Sequence, residues 1–321
     1  LLSVPDFFDA SLPFESNALE CYSRQQQQLP VFAAFTTALG RNHPAQLNEI
    51  AFLPISFFKT HRILTQGRLP QQVFESSGTT SQTTSRHYVA DEGVYQKSLL
   101  AGFTHFWGAP AQYCFLALLP SYLERKNASL VYMVQTLMAA SGHADNGFFL
   151  HDYKELYKRL QSLEARSQKV FLVGVTYALL DLAEKYSLPL QHTILVETGG
   201  MKGRRREMVR GELHGILRTA FQLESIASEY GMTELLSQAW STGDGRYRCP
   251  PWMRVFARPA DDPLGDFVVA QTGRLVVVDL ANIHSCAFIA TDDLGKVYED
   301  GSFEVLGRLD DSDLRGCNLL V

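Results

Sequence analysis

The chain of 321 residues is poor in cysteine. Its five thiols (Cys21, Cys114, Cys249, Cys286 and Cys317) are dispersed and form no C-x-x-C pair. That excludes the common zinc spacings and a disulfide framework, and it fits a reducing compartment. Long hydrophobic runs are missing too. Stretches such as "VFLVGV" at 170–175 have strand length, far below the ~20 residues that a membrane helix needs. No basic segment leading into an apolar core opens the chain. Positive charge is not in excess, since the net charge is −5 and the one basic run, Lys202 to Arg206, is short. No global field invites nucleic acid. These absences lead to the expectation of a soluble, cytoplasmic protein with no membrane span and no nucleic-acid partner. What is present is an ordinary globular composition, 46% hydrophobic and 20% charged, enough for a sizeable core.

The apolar pattern changes along the chain. Residues 15 to about 65 read as helical, broken at Pro30 and stopped near Gly40. From residue 72, short apolar runs ("QQVFE", "YCFLALLP", "GFFL", "KVFLVGV", "HTILVETGG", "LESIA") alternate with amphipathic stretches such as "YKELYKRLQSLE" and "RREMVRGELHGILRTAF". Strands alternating with crossover helices predict a parallel α/β sheet. After about residue 240 the runs become β-rich, punctuated by Asp262-Pro263, Thr272-Gly273 and Asp300-Gly301 as turns. The expected organisation is a helical N-terminus plus α/β core over 1–240 and a smaller antiparallel β subdomain over 241–321.

Four stretches carry chemistry. In "ESSGTTSQTTSR", eight of the ten residues from Ser76 to Ser85 bear a hydroxyl around Gly78. Bare glycine backbone with flanking hydroxyls forms an anion nest, and the same composition also suits a polar surface loop. There is no G-K-[ST], so this is not a Walker loop. In "SEYGMTELL", Tyr230 beside Gly231 can face a flat base, and Glu234 offers a hard oxygen ligand for Mg²⁺; Thr233 and Glu234 can equally start a helix. "VETGGMKGRRRE" ends a strand with Gly199 and Gly200, the place where open α/β sheets bind ligands. Lys202 and Arg204 to Arg206 would open the next helix, where at least two of the three arginines form a solvated face. In "IATDDLG", Asp292 and Asp293 stand at an expected strand end, able to hold ribose hydroxyls or to make a hairpin turn. Arg308 and Asp310 close the last strand.

The order SSGTT, YGMTE, T-D-D-x-G and GRLDD resembles the adenylate-forming superfamily, which includes acyl-CoA ligases, firefly luciferase and peptide-synthetase adenylation domains. Within it, "LPSYLERKNASLVYM" (119–133), "ETGGMKGRRRE" and the ending "RGCNLL" are similar to the acyl-protein synthetases of bacterial luciferase operons, the LuxE-like branch. The resemblance implies an adenylate-forming large-domain α/β fold without the C-terminal small domain. It implies ATP and Mg²⁺, with a carboxylic, fatty acid becoming acyl-AMP. Ser76, Ser77, Gly78, Thr79, Thr80 and Ser81 would hold the β- and γ-phosphates. Tyr230, followed by Gly231, would pack on adenine with Gly199 and Gly200 close by. Thr233 would lie near the α-phosphate and Glu234 would bind Mg²⁺. Asp293 would hold the ribose with Arg308 nearby, and Asp310 is the hinge position.

This chain departs from the family at Ser81, where glycine is usual, and near Arg86, where a lysine is usual. It also stops about where the domain bearing the family's charge-neutralising lysine begins, which leaves Lys202, one of Arg204 to Arg206, or a partner as that cation. Cys317 reads alone as a small buried hydrophobe; the resemblance makes it the thiol that accepts the acyl group. An acyl-CoA or fatty-acid reductase would then be the partner. Two competing expectations are an acyl- or aryl-CoA ligase and a non-catalytic nucleotide- or acyl-binding subunit.

Overall fold

The computed structural model describes residues 13–76, 84–120, 127–199 and 208–309. In chain order the elements begin with helices α1 (Phe14–Gln28) and α2 (Pro30–Ala38). Helix α1 buries Phe14, Ala18, Cys21, Tyr22 and Gln25, one face at helical spacing. Leu29 ends it and Pro30 opens α2 at its first turn, where a missing N–H costs nothing. Strand β1 (Leu53–Pro54), the one-turn helix α3 (Phe57–Thr60) and the hairpin strands β2 (Gln72–Glu75) and β3 (Arg86–Val89) follow. Helix α4 (Glu92–Trp107) leads into an alternating series: β4 (Cys114–Leu118), α5 (Ser129–Ser141), β5 (Gly147–Phe149), α6 (Tyr153–Ala165), β6 (Val170–Gly174), α7 (Thr176–Lys185), β7 (Thr193–Glu197), α8 (Arg210–Phe221), β8 (Ala227–Tyr230) and β9 (Ala239–Ser241). The chain then runs through β10 (Met253–Arg258), β11 (Thr272–Asp279), β12 (Phe288–Val297) and β13 (Phe303–Arg308).

Two compact units result. The first takes the described residues up to 98, 232–237 and those from 248 onward; the second takes 99–231 and 238–247. The second unit is built on a six-stranded sheet in the order β5-β4-β6-β7-β8-β9, parallel except for the β8–β9 pair. Strands β4 and β6 are buried at every position. Their uninterrupted apolar runs are what a strand covered on both faces requires. The rings of Phe103, Tyr113, Phe115, Phe171 and Trp240 pack there at 5.0–6.3 Å between centroids. In the first unit, β10, β11, β12 and β13 form an antiparallel meander, and β1 adds to β12 in parallel. The β2–β3 hairpin is separate.

Several expectations change. Residues 41–65 are mostly irregular, carrying a 3₁₀ turn at Leu47–Glu49, β1 and the short α3. Leu53 is needed as a strand partner of Ile289, and that pairing overrides local helical pattern. "LESIA" is not the strand. Gln222 caps α8 in the left-handed region and Leu223 N–H still bonds Arg218 O, so the strand starts only at Ala227. Thr272-Gly273 is not a turn but the start of β11, where a Cβ on residue 273 would collide with the Arg258 carbonyl. Asp292 and Asp293 do not end a strand: they lie inside β12, and no hairpin turn forms there. Strand β12 continues through Gly295 because a bare Cα lets the Glu304 carbonyl of β13 come close, at a register shift next to Leu294. Finally, α8 begins at Arg210; residues 202–206 lie outside the described residues.

Phe171, fully buried on β6, tests this core. Phe171→Ala should lower unfolding stability by about 3–5 kcal/mol in a denaturant titration, with the far-ultraviolet circular dichroism of the folded state unchanged.

Candidate functional site

In the first unit the hydroxyl-rich segment is the loop of the β2–β3 hairpin. Its base is closed twice: Ser76 N–H donates to Ser85 O at 3.0 Å, and Ser85 N–H donates to Ser76 Oγ at 2.9 Å. Ser77, Gly78, Thr79, Thr80 and Ser81 lie outside the described residues. The Ser85 hydroxyl at the base of the loop favours the ionised form of the buried Glu234 carboxyl. Burial raises the Glu234 pKa above the usual carboxylate range. The Ser85 hydroxyl, its own amide and the charges of Arg308 and Lys59 pull it back in part.

Thr233 and Glu234 do not start a helix; they belong to an irregular segment, 232–237, sunk into the first unit. Such a segment is stable only if its backbone groups find partners. His87, fully buried on β3, bonds Thr233 O through Nδ1 at 2.9 Å and Ser285 Oγ through Nε2 at 2.7 Å. Burial holds its pKa down at about 4, so the ring is neutral near pH 7. Asn282 Nδ2 donates to Glu234 O at 2.8 Å. The fully buried Asp279 carboxylate accepts from Leu236 N and Ser237 N, both at 2.9 Å, and from Ser237 Oγ at 2.6 Å.

Asp293 and Arg308 face each other across β12 and β13, with Arg308 Nε 3.2 Å from Asp293 Oδ1. Asp293 is buried, whereas the Arg308 side chain is 75% exposed. The neighbouring Asp292 pairs with Arg274 Nη2 at 2.8 Å. The first unit therefore gathers Ser76, Thr233, Glu234, Asp293 and Arg308 from three distant parts of the sequence. Gly199, Tyr230 and Gly231 belong to the second unit. Gly200, Lys202, Arg204 to Arg206, Asp310 and Cys317 lie outside the described residues.

The second unit holds a polar cluster that the sequence reading did not single out. Glu197, buried at the carboxyl end of β7, accepts from Gly199 N at 2.7 Å and Thr176 Oγ1 at 3.3 Å. Arg210 Nε stands 3.8 Å and His214 Nε2 3.7 Å from its Oε1. Burial alone would raise the Glu197 pKa. The His214 ring, the Ser228 hydroxyl, the Arg210 charge and the Gly199 amide outweigh it, and the carboxyl lies below its ordinary value. Gly199 has φ +71, the left-handed region that suits glycine, so it is required for the turn itself. Arg210 also donates to Tyr247 OH at 2.9 Å and lies over that ring, and the Tyr247 ring is 5.7 Å from that of Tyr230. On β8, Glu229 is pushed up to about 8 by burial and by the negative charge of Glu197. Its carboxyl lies where a side chain on Gly231 would be, which is one reason residue 231 is glycine. A glutamate closing the apolar run "TILVE" was the available signal for Glu197.

Among the described residues no group of three or more His, Cys, Asp or Glu side chains converges as a metal cage. No helix there is long and apolar enough to cross a membrane.

No family model and no curated protein matches the sequence. Solved structures do match the fold. ATP-bound MatB from Rhodopseudomonas palustris superposes with TM-score 0.55 at 17% identity over 74% of this chain and 47% of its own. A long-chain-fatty-acid-CoA ligase from Archaeoglobus fulgidus gives 0.53 at 14% identity, over 76% of this chain and 52% of its own. O-succinylbenzoate coenzyme A synthetase from Bacillus subtilis, in complex with AMP, gives 0.50 at 13%, over 77% and 64%. The fold is that of the large domain of adenylate-forming enzymes. The chain spans about half the length of the first two.

Glu229 provides a test of the cluster. With its pKa raised from 4.5 to about 8 on folding, the native state holds a proton that the unfolded chain releases. The stability from this group is complete below pH 4.5 and is lost as pH rises through 8. Glu229→Gln should flatten the fall of stability between those values, measured by denaturant midpoints across the range.

Proposed function

We propose that this chain activates a carboxylic acid with ATP and passes the acyl group to a thiol. The observation that carries the reading is the Glu234 environment. A buried carboxylate, whose pKa is lowered by the hydroxyl of Ser85 at the base of a hydroxyl-rich segment and by the charges of Arg308 and Lys59, belongs to a unit that also holds Asp293. Loop hydroxyls suit phosphates, a buried carboxylate short of positive charge suits Mg²⁺, and Asp293 suits a ribose diol. The resemblance of four ordered motifs and the fold shared with ATP- and AMP-bound structures support the same reading.

In the first step a carboxylate oxygen of the acid attacks the α-phosphorus of ATP. The new bond joins that oxygen to phosphorus, the Pα–O bond to the β-phosphate breaks, and pyrophosphate leaves with both electrons. Thr233 would hydrogen-bond an α-phosphate oxygen. Ser76 and the loop from Ser77 to Ser81 would hold the β- and γ-phosphates, and Tyr230 with Gly199, Gly200 and Gly231 would bound the adenine. Asp293 would accept from the ribose hydroxyls, with Arg308 holding its charge and Asp310 acting as the hinge. Glu234 would be a ligand for Mg²⁺, a cation that needs few protein ligands; when bound, that ion would supply positive charge for the departing pyrophosphate. Positioning and charge neutralisation are most of what this displacement requires. In the second step a thiol attacks the acyl carbon, the thioester forms, AMP leaves and the thiol proton is released.

The resemblance makes Cys317 the acceptor, a fatty acid the substrate and a reductase the partner that takes the acyl group on. Coenzyme A is the second reading for the acceptor, favoured by the names of the fatty-acid-CoA ligase and the o-succinylbenzoate coenzyme A synthetase that share the fold.

Intact-protein mass after incubation with ATP, Mg²⁺ and a panel of carboxylic acids separates these readings. A hydroxylamine-labile acyl adduct is expected, absent in Cys317→Ser, with no dependence on coenzyme A. An acyl-coenzyme A product without adduct would favour the second reading. Absence of pyrophosphate release with every acid would reject both. Glu234→Gln should slow pyrophosphate release by about a hundredfold without unfolding the protein.

A further inference from the structure

Glu197 puts a buried charge at the carboxyl end of β7, in a sheet whose strands β4 and β6 are apolar at every position. A buried charge is costly unless it is paired and hydrogen-bonded. The partners of Glu197 divide between its two oxygens. Oε2 accepts from Gly199 N at 2.7 Å and from Thr176 Oγ1 at 3.3 Å. Oε1 faces Arg210 Nε at 3.8 Å and His214 Nε2 at 3.7 Å.

Each oxygen leads to a different residue that the adenylation reading sets against adenine. On one side, the Gly199 carbonyl accepts from Thr176 N at 3.3 Å, and Thr198 N donates to Gly174 O at 3.1 Å. With its amide on Glu197 and its carbonyl on Thr176, Gly199 has both backbone groups held. On the other side, Arg210 Nη2 donates to Tyr247 OH at 2.9 Å, and the guanidinium lies 5.0 Å from the centre of that ring. The Tyr247 ring, 3% exposed, stands 5.7 Å from the Tyr230 ring. Glu197 and Ser228 are register partners on the adjacent parallel strands β7 and β8. Gly199 and Tyr230 therefore each follow that pair by two residues, at the strand ends where open α/β sheets bind ligands.

We propose that Glu197 is a positioning residue for the nucleotide base, holding Gly199 through its amide and Tyr230 through Arg210 and Tyr247. The assignment rests on the adenylation reading, in which Gly199 and Tyr230 bound adenine. A base set between a backbone turn and an aromatic ring is selected by fit, and fit depends on how firmly both are fixed. A turn or ring that shifts loses the fit to adenine and gains none for guanine.

The test compares wild type, Glu197→Gln and Tyr247→Phe in acid-dependent pyrophosphate release with ATP or GTP, and in calorimetric titration with each nucleotide and Mg²⁺. Glu197→Gln keeps the shape but removes the charge that faces Arg210. It should raise the KM for ATP about tenfold and lower the preference for ATP over GTP by a similar factor, with the KM for the acid unchanged. Tyr247→Phe removes only the hydroxyl that Arg210 bonds and should lower the preference about threefold. A Glu197→Gln protein that melts lower but keeps the preference within about twofold of wild type makes Glu197 structural only, and the assignment falls while adenylation stands. A wild type that uses both nucleotides equally has the same consequence. If Glu197→Gln does not fold, Tyr247→Phe decides alone: a preference within about 1.5-fold of wild type overturns the assignment. A wild type that binds ATP but releases no pyrophosphate with any acid rejects the adenylation reading; Glu197 then survives as a base-positioning residue only if the calorimetric preference falls in the variants. A wild type that binds no ATP overturns both.

Discussion

A buried irregular segment must have its backbone polar groups paired, and residues 232–237 are such a segment. Glu234 to Ser237 are buried, and each backbone group left unpaired there would cost about 1–3 kcal/mol. Three side chains supply partners from far away in sequence: His87 from β3, Asp279 from the end of β11 and Asn282 just beyond it. Asn282 is itself held by Gln25 of α1, which donates to its carbonyl at 2.8 Å and accepts from Ala287 N at 2.9 Å. The N-terminal helix, the hairpin and the antiparallel sheet thus all bear on one turn. Thr233 and Glu234 ride on that turn, so their positions are set by packing rather than by local preference.

The same constraint explains which charges are tolerated. Asp279 is fully buried and satisfied by amides and a hydroxyl, a structural carboxylate with no room for a ligand. Glu234 is also buried, and burial raises its pKa, offset only in part by the Ser85 hydroxyl, its own amide and the charges of Arg308 and Lys59. Buried carboxylates left short of positive charge are where a protein can accommodate a cation. In the second unit, Glu197 and Glu229 occupy neighbouring strands and are driven apart in pKa, one held ionised by Arg210 and His214, the other protonated at neutral pH. Two like charges so close cannot both ionise cheaply.

Much of the architecture is legible from pattern. The runs "CFLAL" and "VFLVG" are apolar at every position because their strands are covered on both faces, and "YKELYKRLQSLE" shows a helical stripe with Asp152 as its cap, accepting from Glu155 N. Periodicity is a local property, so it survives in one dimension. Strand β12 was harder: Asp-Asp-x-Gly is the residue chemistry of a turn, and Gly295 is there instead to admit a neighbouring carbonyl.

The sequence by itself determined the order of the polar residues from Ser76 through Thr233 and Glu234 to Asp293 and Arg308, together with the alternation that makes a parallel sheet. Tertiary structure decided the rest. It made His87 the neutral bond to Thr233 and Asp293 a mid-strand residue facing Arg308. These are contacts between residues tens to hundreds of positions apart. Burial and pairing, which set their charge states, exist only once the chain has folded.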